Sequence, residues 1–177
     1  AAAASGTGST PDVLAGAGVE HRLLDAADAR VLGVALPDGW AALWQADAGI
    51  VRADRAREAF LDVARARVET QRRVASLDDV DADVVVVTAG AWVAALVPDL
   101  PVRVTRETVA YFRRDGAPVP SVVELDETTR GHAMYALHDP VYGLKAGAHH
   151  SGAGADPDVE GDADAGLVDR IAGWVRE

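Results

Sequence analysis

Four consecutive β-branched residues, Val84 to Val87, constrain the fold of this chain more than any other stretch. A run of this kind suits a strand buried on both faces, as in a parallel sheet. Asp81 and Asp83 mark its polar entry, and Thr88-Ala89-Gly90 reads as a tight turn of small residues. Ala91 to Leu96 reads as a short helix that stops ahead of Pro98, because proline disfavours helix in the residue before it. A buried strand, a small-residue turn and a helix place backbone N–H groups at a helix N-terminus, a seat for an anion such as a pyrophosphate. The same residues also suit a plain core strand with a tight turn, and both readings stand at this point.

The chain around this run has 177 residues, enough for one domain with a core or a domain and a half. Its net charge of −11 argues against binding nucleic acid or an anionic membrane through bulk charge. With no cysteine there is no disulfide, no thiolate metal site and no cysteine nucleophile. The longest apolar run, Val84 to Val97, is shorter than the roughly 20 residues that cross a bilayer. The opening AAAASGTGST has neither the basic nor the apolar region of a signal peptide, so a cytoplasmic location is expected. Ala1 to Thr10 reads as a flexible tail, and residues 11–177 as a single compact unit. The missing initial Met suggests a piece of something longer.

Short elements flank the central run. Pro11 to Ala17 reads as a helix, and Glu20 to Ala29 as a turn and a second helix capped by Asp25. Leu36 to Gly39 is a turn, Trp40 to Gln45 a strand and Ala46 to Gly49 another turn. Asp54 to Val68 is the clearest helix, capped by Asp54, with Ala56, Phe60, Val63 and Arg67 at helical spacing and a sheet to pack on. Val102 to Phe112 alternates as one long, half-buried antiparallel strand. Ala133 to Leu137 and Tyr142 to His149 read as two more strands, joined by His138-Asp139-Pro140. Ser151 to Asp164 is loop, and Gly166 to Arg176 a closing helix with Leu167, Ile171 and Trp174 on one face.

Of 17 basic residues, Lys145 alone is lysine, and it stands in Gly143-Leu144-Lys145-Ala146-Gly147-Ala148-His149-His150. Strand alternation points Lys145, Gly147 and His149 to one face. The glycine between them leaves space in which a flat ligand could lie, with an ammonium beneath it and an imidazole beside it. A surface lysine and a polar strand-end histidine would produce the same pattern. His138, Asp139, His149 and His150 match no metal-ligand spacing, and adjacent His149 and His150 on a strand would face opposite sides. No metal site is expected. Asp156 and Asp158, around Pro157, look like solvated loop carboxylates, and the absence of G-x-S-x-G leaves a serine hydrolase without support.

From Trp44 to Glu177 the chain resembles the middle and later part of the monomeric sarcosine oxidase family, flavin-dependent amine oxidases of the D-amino-acid-oxidase-like group. The matching pieces are Ala48-Gly49-Ile50-Val51 with the helix to Ala64, ADVVVVTAGAW at Ala82 to Trp92, PVRVTRETVAYF at Pro101 to Phe112, and GLKAGAHH with Asp156-Pro157-Asp158. The resemblance implies an α/β (α+β) protein: a mostly antiparallel substrate-domain sheet with covering helices, plus a strand–turn–helix remnant of the FAD-binding domain. It implies an FAD oxidase of secondary amines such as N-methyl amino acids. The amine carbon would pass a hydride equivalent to flavin N5, and oxygen would reoxidise the flavin to give peroxide. By resemblance, Lys145 lies under the flavin and favours oxygen reduction, because a fixed ammonium stabilises developing negative charge. His149 and Tyr135 would line the substrate pocket, and Thr88, Ala89, Gly90 and Trp92 would sit near the cofactor.

The departures from the family are specific. No glycine-rich dinucleotide fingerprint occurs, and Glu107 stands where the family usually has glutamine. The expectation is therefore a partial chain, without the N-terminal dinucleotide-binding segment and the C-terminal end, that alone holds FAD weakly or not at all. The rival expectation is a flavin-free binding or assembly module that kept the sheet.

Overall fold

The computed structural model describes residues 9–125 and 131–177. Most of the expected Ala1–Thr10 tail lies outside the described residues. Thr10 already opens the first helix, α1 (Thr10–Gly16).

The architecture is a mixture of helices and antiparallel sheet, as expected. A small hairpin sheet pairs β1 (Arg22–Leu24) with β2 (Ala42–Trp44) around α2 (Ala26–Val31). Asp25 caps α2 as its position predicts, accepting from the N–H groups of Ala27 and Asp28 at 2.9 Å each. Further along come α3 (Ala53–Ala64), α4 (Val93–Leu96), β3 (Thr105–Arg106), β4 (Val109–Phe112), β5 (Val122–Glu124), β6 (Met134–Asp139), β7 (Gly143–Ala148), β8 (Ala153–Gly154) and α5 (Ala165–Arg176). Two short sheets stand outside the main one, β1–β2 and β3–β8. The main sheet has the order β4-β7-β6-β5 and is antiparallel throughout.

The core lies between this sheet and α5. Strand alternation sends Leu144, Ala146 and Ala148 of β7 and Met134 and Ala136 of β6 to one face, where Leu167 and Ile171 of α5 meet them. Ile171 is fully buried. Burying such a side chain contributes about 1.5–3 kcal/mol. Two polar groups seat the helix. Asp164 caps it by accepting from Leu167 N at 2.9 Å, and Asp164 N donates to the buried Thr108 Oγ1 at 3.1 Å. The β6–β7 turn is closed by Asp139, whose Oδ1 accepts from Val141 N and Tyr142 N at 2.8 Å. Gly143 follows at φ +98°, where an added Cβ would come 2.5 Å from Phe112 O. Only glycine suits that position.

Four expectations are corrected. Val84 to Val87 is not a strand, and Val84 and Val86 are each 79% exposed. A strand of this kind needs neighbours on both edges and cover on both faces, and the described residues bring none to it. For the same reason α3 does not pack on a sheet. It buries no residue, and Phe60 and Val63 face solvent. The N-cap position is Arg52, which makes no side-chain capping hydrogen bond, rather than Asp54, which lies in the first turn, and the helix ends at Arg65 in the left-handed region. Finally, Val102 to Phe112 is two strands, because Glu107 and Thr108 turn aside to hold other segments, and β3 and β4 join different sheets. The short strands β1, β5 and β8 were not anticipated from the sequence, which reads Ser151 to Asp164 as loop.

Candidate functional site

The main sheet has a second face, opposite α5. Cross-strand register arranges it in two rows. In one, Val123, Tyr135, Gly147 and Val109 stand side by side, and in the other Leu137, Lys145 and Tyr111. The face therefore gathers Lys145, Gly147 and Tyr135 as the alternation predicts. His149 joins them just past β7, where its N–H continues the ladder by donating to Ala133 O at 2.8 Å. The Tyr135 and His149 rings lie 4.7 Å apart at 41°. Tyr111 and Tyr142 form an edge-to-face pair at 5.5 Å beside the Lys145 position.

Two details differ from expectation. The space over Gly147 is filled, because Tyr135, its cross-strand partner, lies on it. A Cβ added to Gly147 would sit 2.6 Å from Tyr135 Oη. A flat ligand thus meets the tyrosine ring and the Lys145 row rather than bare backbone. His149 and His150 also do not point to opposite sides. His150 adopts φ +53° in the turn after the strand, which brings the two rings to 6.1 Å. Among the described residues, no group of three or more His, Asp or Glu side chains is placed to hold a metal ion.

The turn after His150 is held by Glu107, which the sequence reading noted only as a departure from a family pattern. Its Oε2 accepts from Ser151 N and Gly152 N at 3.1 Å each and from Ser151 Oγ at 3.3 Å, while Oε1 accepts from Thr105 Oγ1 at 2.8 Å. Partial burial pushes this carboxyl up, but the hydrogen bonds from Thr105, Ser151 and Gly152 outweigh it and hold Glu107 below the usual carboxylate range. Glu107 follows Arg103 and Thr105 on the polar row of the Val102 to Phe112 stretch, so alternation alone did not single it out.

The other half of the expected site is Thr88, Ala89, Gly90 and Trp92. Gly90 to Trp92 is a single 3₁₀ turn leading into α4, and Gly90 has φ +53° with open space around it. The expected seat for a pyrophosphate is not formed, since no strand precedes the turn and α4 has four residues. No hydrogen bond or ring contact among the described residues runs directly from this turn to Lys145, His149 or Tyr135. The link passes through Asp158, which accepts from Trp92 Nε1 at 2.8 Å and from Arg73 Nη2 at 2.9 Å. Both hydrogen bonds hold the Asp158 carboxyl below its ordinary value, that from Arg73 the more strongly. The carboxylate read as solvated is exposed but partnered.

Two cavities among the described residues lie away from the Lys145 face. One, of about 550 Å³, is bounded by Leu32, Trp44 and the 114–120 segment; the other, of about 460 Å³, by Thr108, Gly152 and Leu167. The outer sheet face itself carries half-buried Tyr135, Leu137 and Lys145 beside exposed Tyr111, Tyr142 and His149, an aromatic surface with one ammonium on which a flat ring could lie. Nothing among the described residues forms a cradle for the dinucleotide end. No described helix is long and apolar enough to cross a membrane.

The chain matches the family described as FAD dependent oxidoreductase over residues 4–177. It is also similar to N-methyl-L-tryptophan oxidases, at 29% identity to those of Salmonella dublin and Salmonella enteritidis and 26% to that of Salmonella arizonae. In each case the similarity covers 67% of this chain and 37% of the relative, so the chain spans well under half the length of the relatives it matches.

Proposed function

The chain belongs to the FAD dependent oxidoreductase family, and from that premise we propose that its main sheet is the substrate side of a sarcosine-oxidase-like amine oxidase. The substrate is a secondary amine such as an N-methyl amino acid, and oxygen is the electron acceptor, giving peroxide. The observation that carries this reading is the placing of Lys145 between Leu137 and Tyr111, on the face that Tyr135 and His149 share.

The family is FAD-dependent, and bound flavin supplies acceptance of a hydride equivalent and its return to oxygen. The roles of this chain's own residues follow from their chemistry. Lys145 presents a positive charge where negative charge develops on oxygen. His149 orients the amine and accepts its proton, because a neutral imidazole nitrogen is a base near neutral pH. Tyr135 walls the pocket and holds His149 by ring contact. Thr88, Ala89, Gly90 and Trp92 border the cofactor. The companion proposals are a cytoplasmic location and a compact unit over residues 11–177 that by itself holds FAD weakly or not at all.

The test is Lys145→Met in flavin-loaded enzyme, with the two half-reactions timed separately by stopped flow. Flavin reoxidation by oxygen should slow far more than flavin reduction by amine. Equal slowing of both, or of neither, removes the role assigned to Lys145.

A further inference from the structure

We propose that Asp158 is a positioning residue, the joint that fixes the Gly90–Trp92 turn relative to the sheet bearing Lys145, His149 and Tyr135. Its carboxylate is the meeting point of two stretches distant in sequence. Oδ1 accepts from Trp92 Nε1 at 2.8 Å and from Arg73 Nη1 at 3.4 Å, and Oδ2 from Arg73 Nη2 at 2.9 Å. The guanidinium thus meets the carboxylate as a fork, which sets direction as well as distance.

The other side of the joint is rigid. Asp158 N donates to Asp156 Oδ1 at 2.9 Å, so the carboxylate projects from a closed turn. The loop that carries it is fastened to the sheet region repeatedly. Glu107 holds Ser151 and Gly152, Ala155 N donates to Val104 O at 3.1 Å, Arg106 donates to Val159 O, and Thr108 receives Asp164 N. This loop starts directly after His149 and His150. Asp158 therefore grips the turn from a frame continuous with the candidate site.

Packing does not do this work. Neither the Gly90–Trp92 turn nor α4 buries a residue, and Trp92 is 47% exposed. An exposed ion pair adds little to global stability. Where apolar contacts are few, local openings are easy and a small polar restraint decides where a segment sits. That the turn belongs to a cofactor site rests on the proposed function. The joint does not, and it can be read without flavin.

The absence of cysteine makes spin labelling clean. Labels at Ala94→Cys in α4 and Val123→Cys in β5, both exposed, report the distance between the two halves by double electron–electron resonance. The parent should give a narrow distance distribution. Asp158→Ala should broaden it at least about twofold, as a segment released to local opening does, and Asp158→Glu should restore part of the narrowing. Asp158→Asn, which keeps an acceptor for the indole but not the ion pair, should fall between. A label pair within the main sheet should stay narrow in every variant. A broad parent distribution, or equal widths in parent and Asp158→Ala, overturns the proposal. If far-UV circular dichroism shows Asp158→Ala unfolded, the double change Arg73→Met with Trp92→Phe removes the donors and leaves Asp158, and unchanged width there overturns it equally.

Discussion

Replacing Gly147 by alanine sets two opposed effects against each other, and the sign of the result tests the site geometry. The new Cβ would fall 2.6 Å from Tyr135 Oη, 2.8 Å from Cζ and 2.9 Å from Cε1, whereas ordinary contact begins at 3.4 Å. The ring must retreat by most of an ångström, beside a histidine ring whose centroid is 4.7 Å from its own. Overpacking of this kind costs about 1–3 kcal/mol. Alanine in place of a strand glycine returns about 0.5–1 kcal/mol by restricting the unfolded chain. The difference leaves a net destabilisation between roughly 0 and 2.5 kcal/mol, and because Tyr135 is half-buried and can swing only in part, about 1 kcal/mol is expected. With a urea slope of about 1–3 kcal/mol per molar, the unfolding midpoint should fall by about 0.5 M. Proton spectra should show the His149 ring signals moving as the Tyr135 ring current shifts. A midpoint that rises, with Tyr135 and His149 signals unmoved, would mean that the ring does not lie on Gly147, and the shared pocket wall would go with it.

Two further outcomes follow from the same contacts. Glu107 has a lowered folded pKa, so its contribution is present above the ordinary glutamate value of about 4.3 and is lost as pH falls through the folded value beneath it. Amide-exchange protection of Ser151 and Gly152 should therefore hold at neutral pH, vanish in acid, and be absent at all pH in Glu107→Ala; equal protection in parent and variant would refute the clasp. Free FAD added to this chain should bind weakly or not at all, with no tight, stoichiometric change in flavin fluorescence, because no strand–turn–helix cradle is formed among residues 84–96. Tight stoichiometric binding would contradict that, and would mean that other residues hold the adenine and pyrophosphate.

The sheet was legible because its information is local. Alternation in Met134–Asp139 and Gly143–Ala148 gave the facing of Lys145, Gly147 and His149 without knowledge of what the other face buries. The turn chemistry of Asp139 and the Leu167–Ile171 spacing of α5 worked the same way. Glycine was where that reasoning overreached. Gly147 was read as empty space, but register places an aromatic partner directly across from it, and the ring fills what the missing side chain leaves. Register depends on which strand pairs with which, and no single strand carries it. Glu107 and Asp158 were missed on similar grounds. Their distant partners lie 44 to 85 positions away, so Glu107 reads as one polar position of a strand and Asp158 as a solvated loop acid.

Val84–Val87, which is not a strand, and α3, which forms but packs on no sheet, depart from expectation in one direction. Each has a sequence suited to burial, four β-branched residues in one and an apolar stripe in the other, and each is exposed. A hydrophobic pattern records the surface a segment is able to bury, and burial also needs a surface to receive it. The main sheet and α5 supply one another with such surfaces. Val84–Val87 and α3 have none among the described residues, in a chain that spans 37% of the length of its relatives. The same contrast separates the halves of the candidate site. Lys145, Tyr135 and His149 stand on a face whose reverse is a closed core, so their placement is set by packing. Thr88 to Trp92 has no such backing, so its placement comes down to one carboxylate with two donors. The Asp158 variants should accordingly move the turn and leave the lysine face where it is.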